Sequence, residues 1–454
     1  MIKNSIILIF ATIISLSCKK THNDKVPWES LIEGNSLKGW SVKGGEATFS
    51  ILNGVITGAT VKNTPNTFLT TDKNYSNFIL ELDFKVDSSM NSGIQIRSNS
   101  FPYYRNGRVH GYQIEIDPSK RAWSAGIYDE SRRKWLYPIA DENAPSKKVF
   151  NQNNWNHYRI EVIKDTIKTW INGVAAANLI DDKTASGFIG LQVHSIHSDQ
   201  KEGTTISWKN IKILTQELEK YTKKTTAKPV HTKNTLTDDE TKQGWKMLWD
   251  GNTTNGWRGA KLDKFPEKGW EINDGELVVL SSGGAEAATG GDIVTEELYG
   301  DFELKVDFKL TAGANSGIKY YVDTNINKGE GSSIGLEYQI LDDALHPDAK
   351  LGNHKGSRTV CSLYDLIEAN TAKPMKVIGE WNSAYIISKN NHVEHWLNDM
   401  KVLEYERGSK DFLKIVSESK YAKWPNFGLL EKGQILLQDH GDKVSFKNIK
   451  IKEL

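Results

Sequence analysis

The amino-acid sequence contains the same long pattern twice. The matching segments, in order, are residues 39–40 and 256–257, 78–86 and 302–310, 91–94 and 315–318, 155–156 and 381–382, 170–172 and 396–398, 191–194 and 437–440, and 207–213 and 445–451. Their order never changes, which indicates a duplication rather than chance. Because the unit is far longer than the repeat of a solenoid, the pattern predicts two tandem domains, at 28–214 and 244–454.

Within each copy the apolar residues follow the period of a β-strand. From Phe302 to Leu310 every second residue is apolar, and the residues between them are charged. Such a segment buries one face and exposes the other. Asn53-Gly54 and Asp274-Gly275 are hairpin-turn signals. Many short strands of this kind predict an all-β fold of antiparallel sandwiches, and the one clear helix candidate is 411–423.

The segment between the two copies, residues 215–243, differs in composition from both. It is rich in Lys, Thr and Glu, has few apolar residues, and contains one proline, Pro229. This composition predicts a flexible or partly helical linker.

The N-terminus has the pattern of a bacterial lipoprotein signal peptide. Lys3 precedes an apolar run over residues 6–16, which is too short to span a bilayer and ends at Cys18 between polar or small residues. We therefore expect residues 1–18 to be the signal and 19–27 to be a polar tether. The alternative is a plain secretory signal with an incidental cysteine. In the lipoprotein case Cys18 is acylated, and the exported protein is anchored to a bacterial membrane, facing the periplasm or the cell exterior.

Charge and composition limit the partners. The net charge is +1 with both signs interspersed, which argues against a nucleic-acid partner. The 14 Trp and 16 Tyr residues suit either stacking on sugar rings or filling sandwich cores. Cys361 is the only other cysteine, so with Cys18 acylated no internal disulfide is expected. We expect Cys361 to be a small buried side chain.

An ordered set of motifs in the second copy resembles the 3-keto-disaccharide hydrolase family. The motifs are Leu-Trp-Asp-Gly at 248–251, Asn-Ser-Gly-Ile at 315–318, Glu-Tyr-Gln-Ile-Leu-Asp-Asp at 337–343, Gly-Glu-Trp-Asn at 379–382, Glu-His-Trp-Leu-Asn at 394–398 and Leu-Gln-Asp-His-Gly at 437–441. No single motif is specific, but the ordered set is. The resemblance covers nearly all of 244–454 and, more weakly, 28–214. It implies two concanavalin A-like jelly-roll domains, each with a ligand groove on its concave sheet.

Among the candidate site residues, six belong to motifs that the resemblance places around the groove: Glu337, His346, Arg358, Tyr364, His395 and His440. The catalytic candidates are His395, His440, Glu337 and Arg358; the substrate-binding candidates are Gln339, Tyr364, Trp396, Gln438, Gln113, Glu115, Gln192 and His194; the metal candidates are Asp342, Asp439 and His346. From the sequence alone, Glu337 and Gln339 share one face of a strand because they are two residues apart. In the first copy the corresponding residues are Gln113 and Glu115, so the acid and the amide have exchanged places.

The chemistry implied by the family begins at a ketone on C3 of a sugar, which makes the C2 proton acidic. Loss of this proton gives an enolate, the group on C1 leaves, and water adds afterwards. This route needs a base, a cation or donor at the enolate oxygen, and an acid at the leaving oxygen. We expect His440 or His395 as the base, Arg358 or a divalent metal at the enolate, and Glu337 at the leaving oxygen. A divalent metal is the only cofactor suggested, and its proposed ligands match no strong motif.

Two further interpretations remain open. The chain could be a lectin-like lipoprotein that binds carbohydrate without turnover, or a conventional glycosidase with two carboxylates. For the latter, Glu337 with Asp342 is the nearest pair in the sequence. The second copy is the stronger candidate for catalysis, because Thr169 replaces His395 in the first copy and His346 has no counterpart there.

Overall fold

The computed structural model describes residues 26–286, 289–329, 331–352 and 354–454. The predicted signal peptide, Cys18 and most of the predicted tether lie outside these residues. No helix in the described ranges has the length and apolar character needed to cross a bilayer. The described chain folds into two β-sandwich domains in tandem, which confirms the predicted all-β jelly-roll class.

The first domain has two facing antiparallel sheets. Its strands are β1 (Glu29–Ser30), β2 (Trp40–Gly44), β3 (Thr48–Leu52), β4 (Val55–Ala59), β5 (Thr67–Thr71), β6 (Phe78–Val86), β7 (Ser92–Asn99), β8 (His110–Ile116), β9 (Ile127–Glu130), β10 (Lys134–Tyr137), β11 (Asn156–Ile163), β12 (Thr166–Ile171), β13 (Val174–Ile180), β14 (Phe188–Val193) and β15 (Thr205–Leu214). One short 3₁₀ helix, Pro145–Lys148, precedes β11. The front sheet has the order β10-β9-β8-β7-β14-β5-β2, and the back sheet is built around β13-β12-β11-β6-β15-β4-β3.

The second domain repeats this arrangement. Its strands are β17 (Lys246–Met247), β18 (Trp257–Gly259), β19 (Trp270–Asn273), β20 (Glu276–Val279), β21 (Ile293–Thr295), β22 (Phe302–Leu310), β23 (Asn315–Asp323), β24 (Ile334–Leu341), β25 (Asn382–Lys389), β26 (His392–Leu397), β27 (Met400–Glu406), β28 (Gln434–Leu437) and β29 (Val444–Glu453). A 3₁₀ helix, Pro347–Lys350, follows β24. The front sheet is β18-β21-β28-β23-β24, and the back sheet is β19-β20-β29-β22-β25-β26-β27, with β17 paired to β29.

The alternation predicted for Phe302–Leu310 is present in β22. Its five apolar residues are buried and its charged residues are partly exposed. In the front sheet, Ile318 and Tyr338 point into the core between the sheets. Their neighbours along each strand therefore point to the opposite side, where the candidate site lies.

Both predicted hairpin turns are confirmed. Asn53 and Gly54 join β3 to β4, and Asp274 and Gly275 join β19 to β20. All four residues have positive φ, from 46° to 73°. Two consecutive residues of this kind make a turn whose twist matches that of the flanking strands, and Asn-Gly and Asp-Gly adopt it most readily.

The predicted helix at 411–423 is confirmed only in its first part. Helix α2 spans Lys410–Ser417 and begins at Ser409, whose hydroxyl accepts a hydrogen bond from the Phe412 amide at 3.1 Å. After a break, residues Lys420–Lys423 form a separate 3₁₀ helix.

The segment 215–243 has defined secondary structure, and of the two forms predicted for it the partly helical one describes it better. It contains a 3₁₀ helix (Leu218–Tyr221), strand β16 (Val230–His231) and helix α1 (Asp238–Lys242). Strand β16 pairs in parallel with β13 of the first domain. The Asn234 amide donates to Asn448 Oδ1 of the second domain at 2.7 Å. Sequence composition could not show these contacts, because the partners lie far away along the chain.

The first domain also contacts the back sheet of the second directly. Lys183 Nζ donates to Ser383 Oγ at 2.5 Å and lies 4.0 Å from Asp307 Oδ1. Asp182 pairs with Lys447, which is almost completely buried. The back sheet of the second domain therefore packs against the first domain, and its front sheet lies on the opposite side of the sandwich.

Candidate active site

A cavity of about 320 Å³ lies on the outward side of the front sheet of the second domain. Its lining combines acids, amides, lysines, a histidine and aromatic rings: Glu286, Asn315, Lys319, Asn327, Ser332, Ile334, Glu337, Gln339, Tyr364, Lys420, Tyr421, Lys423, Trp424, Gln438 and His440. Five of the residues predicted from the sequence are in this set: Glu337, Gln339, Tyr364, Gln438 and His440. A volume of this size suits a small organic ligand.

The floor of the cavity depends on Gly317. This glycine lies between Gln339 of β24 and Gln438 of β28, and the Gln438 amide donates to its carbonyl at 3.0 Å. A Cβ atom at residue 317 would come within 2.4 Å of Glu337 Oε1. Glycine therefore lets the Glu337 side chain lie across the sheet.

Glu337 forms an ion pair with a residue that the sequence reasoning missed. Lys319 lies opposite it on β23, and Lys319 Nζ is 3.5 Å from Glu337 Oε2. Both side chains are buried. Burial raises the pKa of Glu337 above its usual value, and the Lys319 ammonium group only partly opposes this effect. A carboxyl group in this environment holds its proton more readily than an exposed one.

Lys319 is fixed on its other side by a buried hydrogen-bond network. Its ammonium group donates to Ser332 Oγ and to the Ser333 carbonyl oxygen, the latter at 3.2 Å. Ser332 in turn donates to Asp292, which also accepts from the Asp439 amide at 3.0 Å. The lysine is thus a positioned cation at the floor of the cavity.

One wall of the cavity comes from the segment after α2. Lys420 Nζ lies 4.3 Å from the centroid of the Tyr364 ring, and Trp424 completes this wall. Burial lowers the pKa of Lys420 and raises that of Tyr364. The first copy lacks a segment equivalent to 410–424, so this wall belongs to the second domain alone.

Arg358 lies behind this wall and does not line the cavity, contrary to the prediction of a role at the enolate. Its guanidinium group donates to Asp365 Oδ1 at 2.8 Å and to Asp348 Oδ1 at 2.7 Å. Asp348 Oδ2 accepts the Tyr364 hydroxyl at 2.9 Å. Arg358 therefore positions Tyr364 through Asp348, and its charge is already compensated by two carboxylates.

His440 is the one predicted catalytic histidine at the cavity. Its Nδ1 atom is buried and has no protein partner among the described residues. His346 and Asp442 lie beside it, and one possible ligand atom of each of the three lies within 4.8 Å of the others. Two imidazoles and a carboxylate are donors that suit a divalent transition-metal ion. His346 was predicted as a metal ligand; Asp442 was missed, although it follows His440 by only two residues.

The other two predicted metal ligands have structural roles instead. Asp342 Oδ2 accepts the Gly313 amide at 2.8 Å, and its Oδ1 accepts the Ala344 amide at 3.1 Å. Asp439 Oδ2 accepts the Gly291 amide at 3.0 Å, and its Oδ1 accepts the Gly441 amide at 3.0 Å. All four oxygens therefore hold loops in place. Asp342 does not line the cavity, so the cavity does not bring it together with Glu337 as a pair of glycosidase carboxylates.

His395 and Trp396 lie outside the cavity, so the prediction that they act there is wrong. His395 is fully buried between the sheets, where Nδ1 contacts the Cys361 carbonyl and Nε2 the Tyr320 hydroxyl, each at 2.8 Å. Burial lowers the pKa of His395 to about 4. Trp396 is on the outer face of the back sheet, where its indole donates to Glu394 Oε2 at 2.7 Å. Cys361 is buried, as predicted.

The first domain has an equivalent front-sheet surface, which carries its four predicted residues. Gln113 and Glu115 lie on β8 at the positions of Glu337 and Gln339, and Gln113 Nε2 donates to Glu115 Oε2 at 3.1 Å. Gln192 lies on β14, the counterpart of β28. His194, at the end of this strand, contacts the Ser195 carbonyl through Nδ1 at 2.7 Å.

The sequence as a whole matches one known protein family in both copies. The model of the 3-keto-alpha-glucoside-1,2-lyase-like domain matches residues 27–214 and 244–452. The chain belongs to this family. The two matched segments are the two β-sandwiches, so the family domain occurs here as a tandem pair.

Several known proteins are similar to parts of this chain. A 3-keto-disaccharide hydrolase from Bacteroides thetaiotaomicron is 40% identical over 233 residues, which are 46% of this chain and 79% of that protein. A solved structure of a candidate glycosyl hydrolase from Parabacteroides distasonis is 32% identical, with a TM-score of 0.43, over 49% of this chain and 100% of that one. A second such structure from the same organism is 31% identical, with a TM-score of 0.35, over 46% and 99%.

Proposed function

We propose that the second domain cleaves the glycosidic bond of 3-keto-disaccharides or related 3-keto-glycosides by β-elimination followed by hydration. The observation that carries this proposal is that one cavity brings together an acid (Glu337), a histidine (His440) and two ammonium groups (Lys319 and Lys420). Elimination beside a ketone needs these three kinds of group. Membership of the family and the named relative support the same substrate class.

The first step is removal of the C2 proton by His440. His440 lines the cavity, and its Nδ1 atom forms no hydrogen bond to any of the described residues, so its imidazole is available as the base. The electrons of the C2–H bond move towards the C3 carbonyl and form the enolate. The ammonium groups of Lys319 and Lys420, both in the cavity lining, stabilise the negative charge on the C3 oxygen. They take the part expected from the sequence of Arg358 or a divalent metal.

The second step is departure of the group on C1. The enolate electrons form the C1=C2 double bond, and the C1–O bond breaks. Glu337 donates its proton to the departing oxygen, a role that suits a buried carboxyl with a raised pKa. Addition of water across C1=C2 then completes hydrolysis. Gln339 and Gln438, on either side of Gly317, offer amide groups for the hydroxyls of the sugar.

The donor set of His346, His440 and Asp442 gives His440 a second role to be tested. A divalent cation bound there would polarise the ketone, and His440 would then be a ligand rather than the base. Lys420, which lines the cavity and whose pKa is lowered by burial, would then be the candidate base. Assays with and without a chelator separate the two assignments, because only the cation-dependent one loses activity.

We further propose that the protein is exported and anchored to a membrane through Cys18. The sequence of residues 1–18 supports this proposal. When cells are grown with a radioactive fatty acid, the chain with its natural sequence should become labelled. A Cys18→Ala variant should stay unlabelled. Equal labelling of both would contradict the anchor.

Product analysis tests the proposed reaction. The purified protein is incubated with a 3-keto-disaccharide and with its unoxidised parent, each with and without chelator. We expect sugar release from the oxidised substrate only, and a Glu337→Gln variant should have lost nearly all of this activity. Cleavage of the unoxidised parent would instead indicate a conventional glycosidase. Binding of the keto-sugar without release would indicate a lectin-like protein.

A further inference from the structure

One buried carboxylate in the second domain, that of Asp292, hydrogen bonds to both segments that carry the proposed catalytic groups. Its Oδ2 atom accepts the Ser332 hydroxyl and the Ser333 amide, the latter at 3.2 Å. Its Oδ1 atom accepts the amide of Asp439, the residue before His440, at 3.0 Å. Asp292 is 5% exposed and does not line the cavity, so it can act on a substrate only through these neighbours.

The first domain shows that a sandwich of this kind does not need such a carboxylate. The strand pairings put Phe68 at the position of Asp292 and Val109 at that of Ser333. Phe68 and Val109 form a small buried apolar cluster with Phe188. A buried carboxylate costs free energy that an apolar cluster at the same place does not. The presence of Asp292 is therefore explained by the site rather than by the fold.

The lysine at the floor of the cavity changes together with this carboxylate. Gln95 holds the position of Lys319, since it pairs with Gln113 as Lys319 pairs with Glu337. In the first domain the two amides share a hydrogen bond of 2.7 Å, from Gln95 Nε2 to Gln113 Oε1. The ion pair and the buried carboxylate thus occur together in the second domain and are replaced together in the first.

The link to Asp292 determines where the Lys319 ammonium group lies. The Ser332 hydroxyl donates its proton to Asp292, so its oxygen is free to accept a hydrogen bond from Lys319. A second N–H of the ammonium group donates to the Ser333 carbonyl oxygen at 3.2 Å. One of the three N–H groups of Lys319 remains for the cavity.

The contact between Lys319 and Glu337 is correspondingly loose. Lys319 Nζ lies 3.5 Å from Glu337 Oε2, whereas a direct hydrogen bond between such groups measures about 2.7–2.9 Å. A closer ammonium group would lower the pKa of Glu337, and the proposed general acid would lose its proton. Keeping the lysine back therefore preserves the proton of the acid and leaves an N–H for the C3 oxygen of the substrate.

We propose that Asp292 is a positioning residue which, through Ser332, holds the Lys319 ammonium group away from Glu337 and towards the cavity. The proposal rests on the proposed function, since it concerns how the acid and the cation of that reaction are kept apart. The effect of Ser332 on Glu337 can nevertheless be measured without substrate.

Ser332→Ala tests the link, because it removes the hydroxyl and leaves Asp292, Lys319 and Glu337 in the chain. Released from Ser332, the ammonium group should move closer to Glu337, whose carboxyl should then lose its proton at lower pH than in the unmodified chain. The titration is followed by NMR on the full-length chain labelled with carbon-13 at the glutamate carboxyls, and the signal is identified by its absence from Glu337→Gln. Ser332→Thr keeps the hydroxyl and should titrate like the unmodified chain.

Ser388→Ala is the matched control for loss of a buried hydroxyl. Ser388 lies in the back sheet of the same domain, where its Oγ atom is 2.7 Å from the Tyr321 hydroxyl. Both alanine variants lose buried hydrogen bonds and should lower the melting temperature, but only Ser332→Ala should change the titration of Glu337. If Glu337 titrated alike in Ser332→Ala and in the unmodified chain, the proposal would be overturned, whatever the activity of the protein.

Kinetics on a 3-keto-disaccharide connect the position of the lysine with the reaction. In Ser332→Ala, kcat/KM should fall about threefold more at pH 8 than at pH 6, because the general acid has lost its proton at the higher pH. Asp292→Asn should show the same dependence, and Ser332→Thr should not. If the unmodified chain leaves the keto-sugar intact, the proposed reaction fails, and the titration still decides whether Ser332 holds the lysine back. A fall in kcat/KM that is equal at both pH values would contradict the proposal.

Discussion

At the scale of single residues, the pair of Lys319 and Glu337 makes the proposed mechanism testable through its pH dependence. As the general acid, Glu337 must carry its proton, so activity should fall as the pH rises through its pKa in the protein. Burial raises that pKa and the Lys319 ammonium group lowers it. Removing the ammonium group should therefore move the alkaline limb of the pH profile to higher pH, even though the maximal rate falls.

Lys319→Met is the variant that tests this coupling, with kcat/KM measured against pH on a 3-keto-disaccharide. We expect a rate at least tenfold lower and an alkaline limb displaced upwards. Gln95→Met, at the matching position of the first domain, serves as the control for a substitution at this point of a front sheet. An unshifted limb in Lys319→Met would mean that Glu337 is not the acid.

Site residues were predicted correctly where the two-residue alternation of side chains along a strand was used, and wrongly where it was ignored. Glu337 and Gln339 were expected on one face because they are two apart, and both line the cavity. The same rule places His395 with Val393 and Leu397, and all three are buried in the core. The sequence thus contained the evidence against His395. It held no comparable evidence against Arg358, whose carboxylate partners Asp348 and Asp365 both lie outside the strands.

At the scale of elements, the segment from α2 to the following 3₁₀ helix distinguishes the second domain from the first. Ser419 joins its two parts, since its hydroxyl donates to the Val416 carbonyl at 2.8 Å and accepts from the Tyr421 amide at 3.1 Å. Lys420 and Trp424 of the cavity wall follow directly. Ordering of this wall therefore depends on Ser419.

Ser419→Ala should loosen the wall and raise KM for a 3-keto-disaccharide about threefold or more, with a smaller effect on kcat. Ser409→Ala is the matched control, because Ser409 caps the start of α2, away from the cavity. Each substitution should lower the free energy of unfolding by about 1 kcal/mol, as measured by urea titration. Equal KM values for the two variants would contradict a specific role of Ser419 in the wall.

Element-level prediction was limited by what short-range patterns encode. The hairpin turns at Gly54 and Gly275 follow from local backbone preferences and were predicted correctly. A helix is present near the start of the predicted range 411–423, but it ends earlier than predicted. The periodicity of the apolar residues does not show the break at Glu418 and Ser419.

At the scale of the whole molecule, the linker makes two similar domains into one packed unit. Its residue Thr232 donates to Asp181 of the first domain, and its residue Glu240 accepts from Lys450 of the second at 2.9 Å. Composition alone predicted a flexible or partly helical linker, because polar segments rarely bury enough surface to order themselves. Here the order comes from hydrogen bonds and ion pairs to both domains, which depend on tertiary structure.

Asp181 is one of the carboxylates that join the linker to the first domain. It is fully buried, and Arg133 donates to its two oxygens at 2.7 and 3.0 Å. Burial by itself would raise the pKa of Asp181, but the Arg133 guanidinium group and the hydrogen bonds from Thr232 and Tyr112 hold it well below its usual range. Replacing one partner of such a pair leaves the other charge buried and unpaired.

Asp181→Asn should therefore lower the free energy of unfolding by about 3 kcal/mol at pH 7, measured by urea titration. Because the pKa is lower in the folded state, this stabilisation is complete above the unfolded pKa of about 3.9 and is lost as the pH falls towards the folded value. The difference between variant and unmodified chain should accordingly shrink below about pH 4. Glu142→Asn, which removes an exposed partner of Lys147, is the control. It should change the free energy of unfolding little, both at pH 7 and below about pH 4. A difference for Asp181→Asn that stayed constant down to pH 2 would show that its effect is steric rather than electrostatic.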